Sequence, residues 1–301
     1  METTMQEQFY GAVEAGGTKV NLAVGSGPTD IVDSARVETT TPEVTIAAIL
    51  EFFEPHRAKL QSFGVASFGP VRIDRAAPDW GRLLATPKQG WSGASFVLPL
   101  AERFGLPIGL DTDVNAAALA EHRLGALRGF RAGAYITVGT GIGAGLIEDG
   151  RAIHGMMHPE VGHIRVLRLL EGDDSFAGCC PYHGDCLEGL ASGPSIQQRW
   201  GSSLSQLPND HIAHRLIADY IGQACATLAL TFSAGRVVIG GGVSHTPGLH
   251  VAIAARMRRW LNGYLTDRDV NADSFIVAPS LGDHAGLAGA MLLAEEAARH
   301  P

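Results

Sequence analysis

Residues 179–186 of the 301-residue chain read CCPYHGDC and hold three of its four cysteines. Cys180, His183 and Cys186 fall three apart, across tight turns expected at Pro181 and Gly184, so their side chains can converge on one ion. A structural zinc takes four ligands in a tetrahedron, and this stretch supplies three of them. Cys179 competes with Cys180, because adjacent side chains point apart and only one of the two can ligate. The alternative is a set of reduced, partly buried thiols without metal. The remaining cysteine, Cys225, lies in the apolar run YIGQACATLALTF and reads as a core thiol.

Glycine carries a second kind of chemistry. GAVEAGGTKVNLAVG (11–25) and GAYITVGTGIGAGLIEDG (133–150) each run apolar strand, glycine turn with a Gly-Thr pair, apolar strand. Placing Gly17-Thr18 on Gly139-Thr140 also places Val20 on Ile142 and Val24 on Leu146, which predicts a repeated β-hairpin. Such turns present unblocked backbone N–H groups that suit phosphate oxygens; Thr18 and Thr140 add hydroxyls, and Lys19 a cation. A third cluster, in RVVIGGGVS (236–244), ends another short apolar strand. One such turn alone reads as an ordinary hairpin, whereas two related turns and a third cluster fit a nucleotide held from two lobes. Gly139-Thr-Gly141-Ile-Gly143-Ala144 also fits the G-x-G-x-x-A dinucleotide fingerprint. That fingerprint needs a helix after the turn, and AGLIEDG reads instead as a strand ending in an Asp-Gly turn. In DTDVNAAALAEHR, Asp113 sits at a strand-to-helix junction, where a carboxylate either caps the helix or serves a substrate.

The elements around these residues alternate in type. Thr41-Pro42 predicts a helix through Phe53, with Thr41 as cap and proline at its first position. Strand-like runs fall at Phe63–Ser67, Ile108–Asp111 and Phe275–Ala278. Helix-like runs fall at Ser92–Phe104, Val114–Leu124, His211–Phe232, Pro247–Leu265 and His284–Arg299. Alternation of this sort predicts α/β architecture, and without a Pro/Ser-rich linker the lobes are expected to join directly, with a cleft between them. With 46% hydrophobic and 18% charged residues the composition is that of a soluble globular protein, and a net charge of −8 disfavours nucleic acid and anionic membrane. METTMQEQFY lacks the pattern of a signal peptide, and the uncharged run Tyr220–Gly235 is too short and polar to span a bilayer. A cytoplasmic, reducing location is expected, where clustered Cys and His more often bind metal than form disulfides.

EAGGTK, SFGPV, DTDVNAAALAE, HPEVGH and CPYHGDCLEGLASGP, in this order and spacing, resemble the ROK family of sugar kinases, and within it the bacterial fructokinase branch. The resemblance spans Gly11 to the final helix. It implies an α/β, two-lobed actin-like ATPase (ribonuclease H-like) fold with a duplicated phosphate-binding β-hairpin. The lobes would be residues 1–114, completed by the helix 285–301, and residues 115–284, carrying the zinc loop. It implies an ATP-dependent hexose kinase, a fructokinase making fructose 6-phosphate, using Mg2+ with ATP and a structural zinc, and forming a homodimer. Asp113 would be the general base taking the proton of the attacking hydroxyl, and Asn115 would support its turn. Gly69, Thr112, Asp113, Glu160, His163 and Glu188 would meet the sugar. Gly16, Gly17, Thr18, Lys19, Thr140, Gly141, Pro194, Gly240, Gly241 and Gly242 would meet ATP. His163 would complete the zinc site with Cys180, His183 and Cys186. Thr112 stands where the family's glucokinases carry Asn, which disfavours glucose and is compatible with fructose. Glu14, where many relatives carry Asp, would lie near the magnesium.

EGDDSFAGCCPYHGDC shows little means of packing itself, so the metal is expected to fix this loop and position Glu188. Because the phosphate turns lie on separate hairpins, loss of metal is expected to weaken sugar binding more than ATP binding. The family's repressor branch carries an N-terminal helix-turn-helix; here the first hairpin begins almost at once, so a transcription factor is not expected. The alternatives are a mannose- or glucose-preferring kinase and a non-catalytic sugar sensor on the same fold.

Overall fold

A computed structural model of the chain describes residues 8–168, 173, 176–266, 270 and 274–300. The chain divides into two compact units: Met1–Ala120 with His154–His158 and His284–Pro301, and Glu121–Ile153 with Pro159–Asp283.

In the first unit, β1 (Phe9–Ala15), β2 (Lys19–Gly27), β3 (Asp30–Glu38), β4 (Leu60–Ser67) and β5 (Ile108–Thr112) form one sheet in the order β3-β2-β1-β4-β5. The first three strands meander antiparallel, whereas β4 and β5 add in parallel and so require crossovers. α1 (Pro42–Phe53) and α2 (Val97–Phe104) provide them. Thr41 precedes α1 in extended backbone but makes no side-chain cap; the Thr45 hydroxyl accepts from the Thr40 N–H instead, at 3.0 Å. The helix expected from Ser92 begins only at Val97, because Ser95 Oγ accepts from the N–H groups of Val97 and Leu98 at 3.1 Å. β3 is mostly exposed; only Ala35 and Val37 alternate toward the core, and the strand forms along the edge that β2 offers.

The long connection from β4 to α2 is held by aromatic packing. Trp91 is fully buried, stacks on Phe96, meets Phe68 edge-on and donates from Nε1 to the Thr40 carbonyl at 2.8 Å. α8 (Ala285–Arg299) completes the unit by lying on the strands at very close range. A Cβ at Gly64 would stand 1.8 Å from the Ala290 carbonyl oxygen, and one at Gly109 2.4 Å from that of Leu293. α3 (Asp113–Leu124) follows β5 directly, and a Cβ on Gly289 of α8 would meet the Ala116 carbonyl at 2.0 Å. The first turns of α3 therefore belong to this unit. The boundary expected after residue 114 falls inside α3, and the chain divides after Ala120.

The second unit repeats the plan. β6 (Ala132–Val138), β7 (Ile142–Glu148), β8 (Arg151–Ala152), β9 (Val237–Gly240) and β10 (Ile276–Val277) run in the order β10-β9-β6-β7-β8, with the same strand directions as the first sheet read from its other edge. The two hairpin turns differ by one residue: residues 16–19 separate the paired Ala15 and Val20, and residues 139–141 separate Val138 and Ile142. β7 ends at Asp149-Gly150, both at positive φ (50° and 78°), so the dinucleotide fingerprint lacks its helix. α4 (Leu187–Ala191), α5 (Gly193–Trp200), α6 (Ile212–Thr231) and α7 (Leu249–Leu261) complete the unit. α7 stops short of residue 265 because Asn262 adopts a left-handed conformation, with φ 47°. Cys225 is buried within α6, and burial pushes its thiol up to about 12. No helix among the described residues is long and apolar enough to cross a membrane.

Before the cysteines, the described residues Asp173 and Phe176 have defined partners. Asp173 accepts from Arg168 at 2.8 Å, from Arg199 at 3.0 Å and from Tyr220 Oη at 2.5 Å. Arg168 also donates to the Phe176 carbonyl at 2.7 Å. These contacts tie Asp173 to α5 and α6, and Phe176 to Arg168. Residues 171, 172, 174 and 175 of that stretch lie outside the described residues.

Candidate active site

In the first unit the site is built where β5 runs straight into α3. Thr112 Oγ1 accepts from the Asn115 N–H at 3.1 Å, so Thr112 rather than Asp113 caps the helix. Asp113 Oδ1 accepts from the Val114 N–H at 2.9 Å. Beneath this turn lies Asp111, only 4% exposed. Its Oδ1 accepts from the Thr112 N–H at 2.8 Å and from Asn115 Nδ2 at 2.7 Å, and its Oδ2 faces His154 Nε2 at 2.9 Å. A carboxylate only accepts, which fixes the Asn115 amide with nitrogen toward Asp111 and puts a hydrogen on His154 Nε2. The hydrogen bond to Asp111, aided by its charge and opposed by burial, holds the His154 imidazole pKa above its ordinary value. Sequence reasoning reached Asn115 but missed Asp111 and His154; the latter lies 43 positions further along the chain.

The first glycine turn is braced by Thr39, whose Oγ1 donates to the Gly16 carbonyl at 2.8 Å and whose N–H donates to the Thr18 carbonyl at 3.0 Å. Gly17, Thr18 and Lys19 are exposed, and a Cβ at Gly17 would meet nothing within 4 Å. Glu14 Oε2 accepts from Asn21 Nδ2 at 2.7 Å. Gly69 lies in the aromatic-braced stretch after β4, joined to Pro70 by a cis bond.

In the second unit the other glycine turn is gripped at both ends. Gly193, the first residue of α5, donates its N–H to the Gly139 carbonyl at 2.8 Å, and Glu188 Oε2 accepts from the Ile142 N–H at 2.9 Å. Beside the turn is a cavity of about 350 Å³, lined by Thr140, Pro194, Gln197, Ser203, Ser205 and Gly242, among others. It unites three of the residues expected at ATP: Thr140, Pro194 and Gly242. Gly141 instead faces Glu188, whose Oε2 would stand 2.7 Å from a Cβ there. Gly240 and Gly241 serve packing, since Cβ atoms would lie 2.3 Å from Tyr135 Oη and 2.5 Å from the Val138 carbonyl. Gln197, Ser203 and Ser205 were not legible, since nothing in their spacing marks them. Burial first, and then the negative charge of Glu188, push the Glu160 carboxyl up to about 7.

His163, Cys180, His183 and Cys186 converge, their ligand atoms all within 4.8 Å of one another. Cys180 Sγ lies 3.7 Å from Nδ1 of both His163 and His183, and Cys186 Sγ lies 3.6 Å from His163 Nδ1. A tetrahedral zinc with ordinary Zn–S and Zn–N bond lengths sets sulfur and nitrogen about 3.6 Å apart, so the donor set fits that ion. Cys179 turns away, its Sγ 2.9 Å from Ser195 Oγ. The CPYHG turn is closed by paired backbone hydrogen bonds between Cys180 and Gly184, and Gly184 takes a φ of 63°. Burial is the main cause pushing the Cys186 thiol pKa above its ordinary value.

Residues 10–297 match the ROK family. A fructokinase from Zymomonas mobilis is 44% identical over 294 residues, covering 96% of this chain and 97% of that one. A fructokinase from Pediococcus pentosaceus is 38% identical over 292 residues, covering 97% and 99%. A ROK family glucokinase from Streptomyces griseus, solved in complex with glucose and AMPPNP, superposes with a TM-score of 0.74 at 29% identity, covering 96% of this chain and 99% of that one. A ROK hexokinase from Thermus thermophilus gives 0.77 at 28% identity, covering 98% and 100%. Twin sheets of matching order, each with a glycine turn after its first strand, and a family match over nearly the whole length lead to one conclusion: this chain belongs to the ROK family.

Proposed function

We propose that the chain is an ATP-dependent fructokinase, moving the γ-phosphoryl group of ATP to the 6-hydroxyl of fructose. The observation that carries this is the near-full-length likeness to fructokinases at 38–44% identity. Asp113 fits the base, since Thr112 performs the capping and the carboxylate stands at the junction. Phosphoryl transfer asks mainly for alignment and charge stabilisation, with a base to accept a late proton. Gly69, Thr112, Glu160, His163 and Glu188 would surround the sugar. Gly16, Gly17, Thr18, Lys19, Thr140, Pro194 and Gly242 would meet ATP, Gly141, Gly240 and Gly241 would shape the backbone behind it through their packing, and Gln197, Ser203 and Ser205 would be added at the cavity. Glu14 would order water around the magnesium that accompanies ATP. His163, Cys180, His183 and Cys186 would hold a zinc, which supplies no open coordination position and acts as a fixed cross-link. The two compact units would be the kinase lobes, and the protein would work as a cytoplasmic homodimer.

The test is phosphorylation of fructose, mannose, glucose and N-acetylated hexoses by the purified protein, beside Asp113→Asn. Fructose should give the highest kcat/KM, and the variant should lose about 100- to 10,000-fold in turnover. A preference for mannose or glucose would replace the substrate, and sugar binding without turnover would make the chain a sensor.

A further inference from the structure

We infer that Asp111 and His154 are positioning residues for the catalytic base: their hydrogen-bonded pair braces the β5–α3 turn that carries Asp113. The inference rests on the kinase reading, in which Asp113 takes the proton. One oxygen of Asp111 binds both flanks of Asp113, the Thr112 N–H at 2.8 Å before it and the Asn115 amide at 2.7 Å after it. An oxygen with two donors holds a turn only if its carboxylate cannot rotate. His154 Nε2, at 2.9 Å from the other oxygen, supplies that restraint. Asp111 is buried, so its charge must be met by donors from the protein, and three meet it.

The position of His154 is set independently of Asp113. It opens the short passage His154–His158 that belongs to the first unit. The other end of that passage is pinned by His158, 6% exposed, whose Nε2 accepts from the Val71 N–H at 3.3 Å. A brace of this kind matters for phosphoryl transfer, where displacing a reacting group by about 1 Å costs about 100-fold.

His154→Phe keeps a ring of similar shape and removes the donor, while His154→Gln restores an N–H. We expect His154→Phe to lower kcat about tenfold, with the KM values for fructose and ATP within about threefold of wild type, and His154→Gln to recover most of the loss. In an Asp113→Asn background the same change should cost less than about twofold, because no base is left to place. Asp111→Asn should show the same loss confined to kcat, which keeps the test intact if His154→Phe folds poorly. Unchanged kcat in His154→Phe overturns the inference. So does a tenfold loss that persists without Asp113, and so does a loss confined to the fructose KM, which would make His154 a sugar contact. Normal turnover by Asp113→Asn would remove the base itself and overturn both readings, whereas an unaffected His154→Phe removes only this one.

Discussion

Glu188 was expected to touch the sugar, yet its Oε2 also holds the backbone of the second glycine turn through the Ile142 N–H at 2.9 Å. Glu188→Ala removes that bond. A hydrogen bond to a charged acceptor contributes about 1.5–3 kcal/mol net. Two backbone bonds stay, Gly139 N–H to Gly141 at 2.9 Å and Gly193 N–H to the Gly139 carbonyl at 2.8 Å. With the turn still held there, about half of the loss should reach the nucleotide, or about 0.75–1.5 kcal/mol, a rise in Kd of about three- to twelvefold. The assay is calorimetric titration with Mg2+ and a non-hydrolysable ATP analogue in the absence of any sugar, so that a lost sugar contact cannot contribute. The variant also removes the second cause of the raised Glu160 pKa and leaves burial, the first. Glu160 should then titrate below about 7 and still above the ordinary 4.5. Sugar-free nucleotide affinity within twofold of wild type would refute the reasoning and leave Glu188 as a sugar contact alone.

Two further outcomes are expected. Glu160 binds its proton more tightly when folded, so the stability it contributes is fully present below about pH 4.5 and is lost as pH rises through about 7. Glu160→Gln should therefore stabilise the protein more at pH 8 than at pH 4.5, by up to about 3 kcal/mol before solvent screening reduces it; denaturant melts giving the same difference at both pH values would contradict this. The purified protein should contain one zinc by elemental analysis, and Cys186→Ser should lose it. Since Glu188 and Gly193, two and seven residues after that ligand, both grip the phosphate turn, nucleotide and fructose affinities should fall together, not sugar affinity alone; zinc-free, folded protein with wild-type affinities would sink the idea.

What could be read from the sequence was local. The paired hairpins, the strand-to-helix junction at Asp113 and the Cys-x-x-His-x-x-Cys spacing each depend on a few neighbouring residues, and each appears in place. Spacing left Cys179 and Cys180 open, and side-chain direction separates them only in three dimensions. β3 went unread because only Ala35 and Val37 alternate toward the core, too short a run to mark a strand, and its pairing edge on β2 fixes the rest. Asp111–His154 and Asp173–Arg199 pair residues far apart in the chain, and nothing in either local stretch announces the other. Among the glycines, sequence showed a cluster at Gly240–Gly242 but could not divide it into two that pack and one that lines the cavity.

The seating of α8 has a consequence during synthesis. Roughly 170 residues separate β5 from α8, so at about 5–20 residues per second the first sheet waits about 10–30 s on the ribosome before its covering helix emerges. Gly64 and Gly109 offer no side chains to shield the strands meanwhile, because they are cut back to admit the helix backbone. Ala12, Ala23 and Ala66 gain their burial from Ala290 and Met291 of α8. The second unit has all its strands ahead of that point and can close first. A nascent chain stalled before Ala285 would carry Asp113 and both glycine turns yet keep a sheet face in water, making it a client for chaperones and a seed for aggregation.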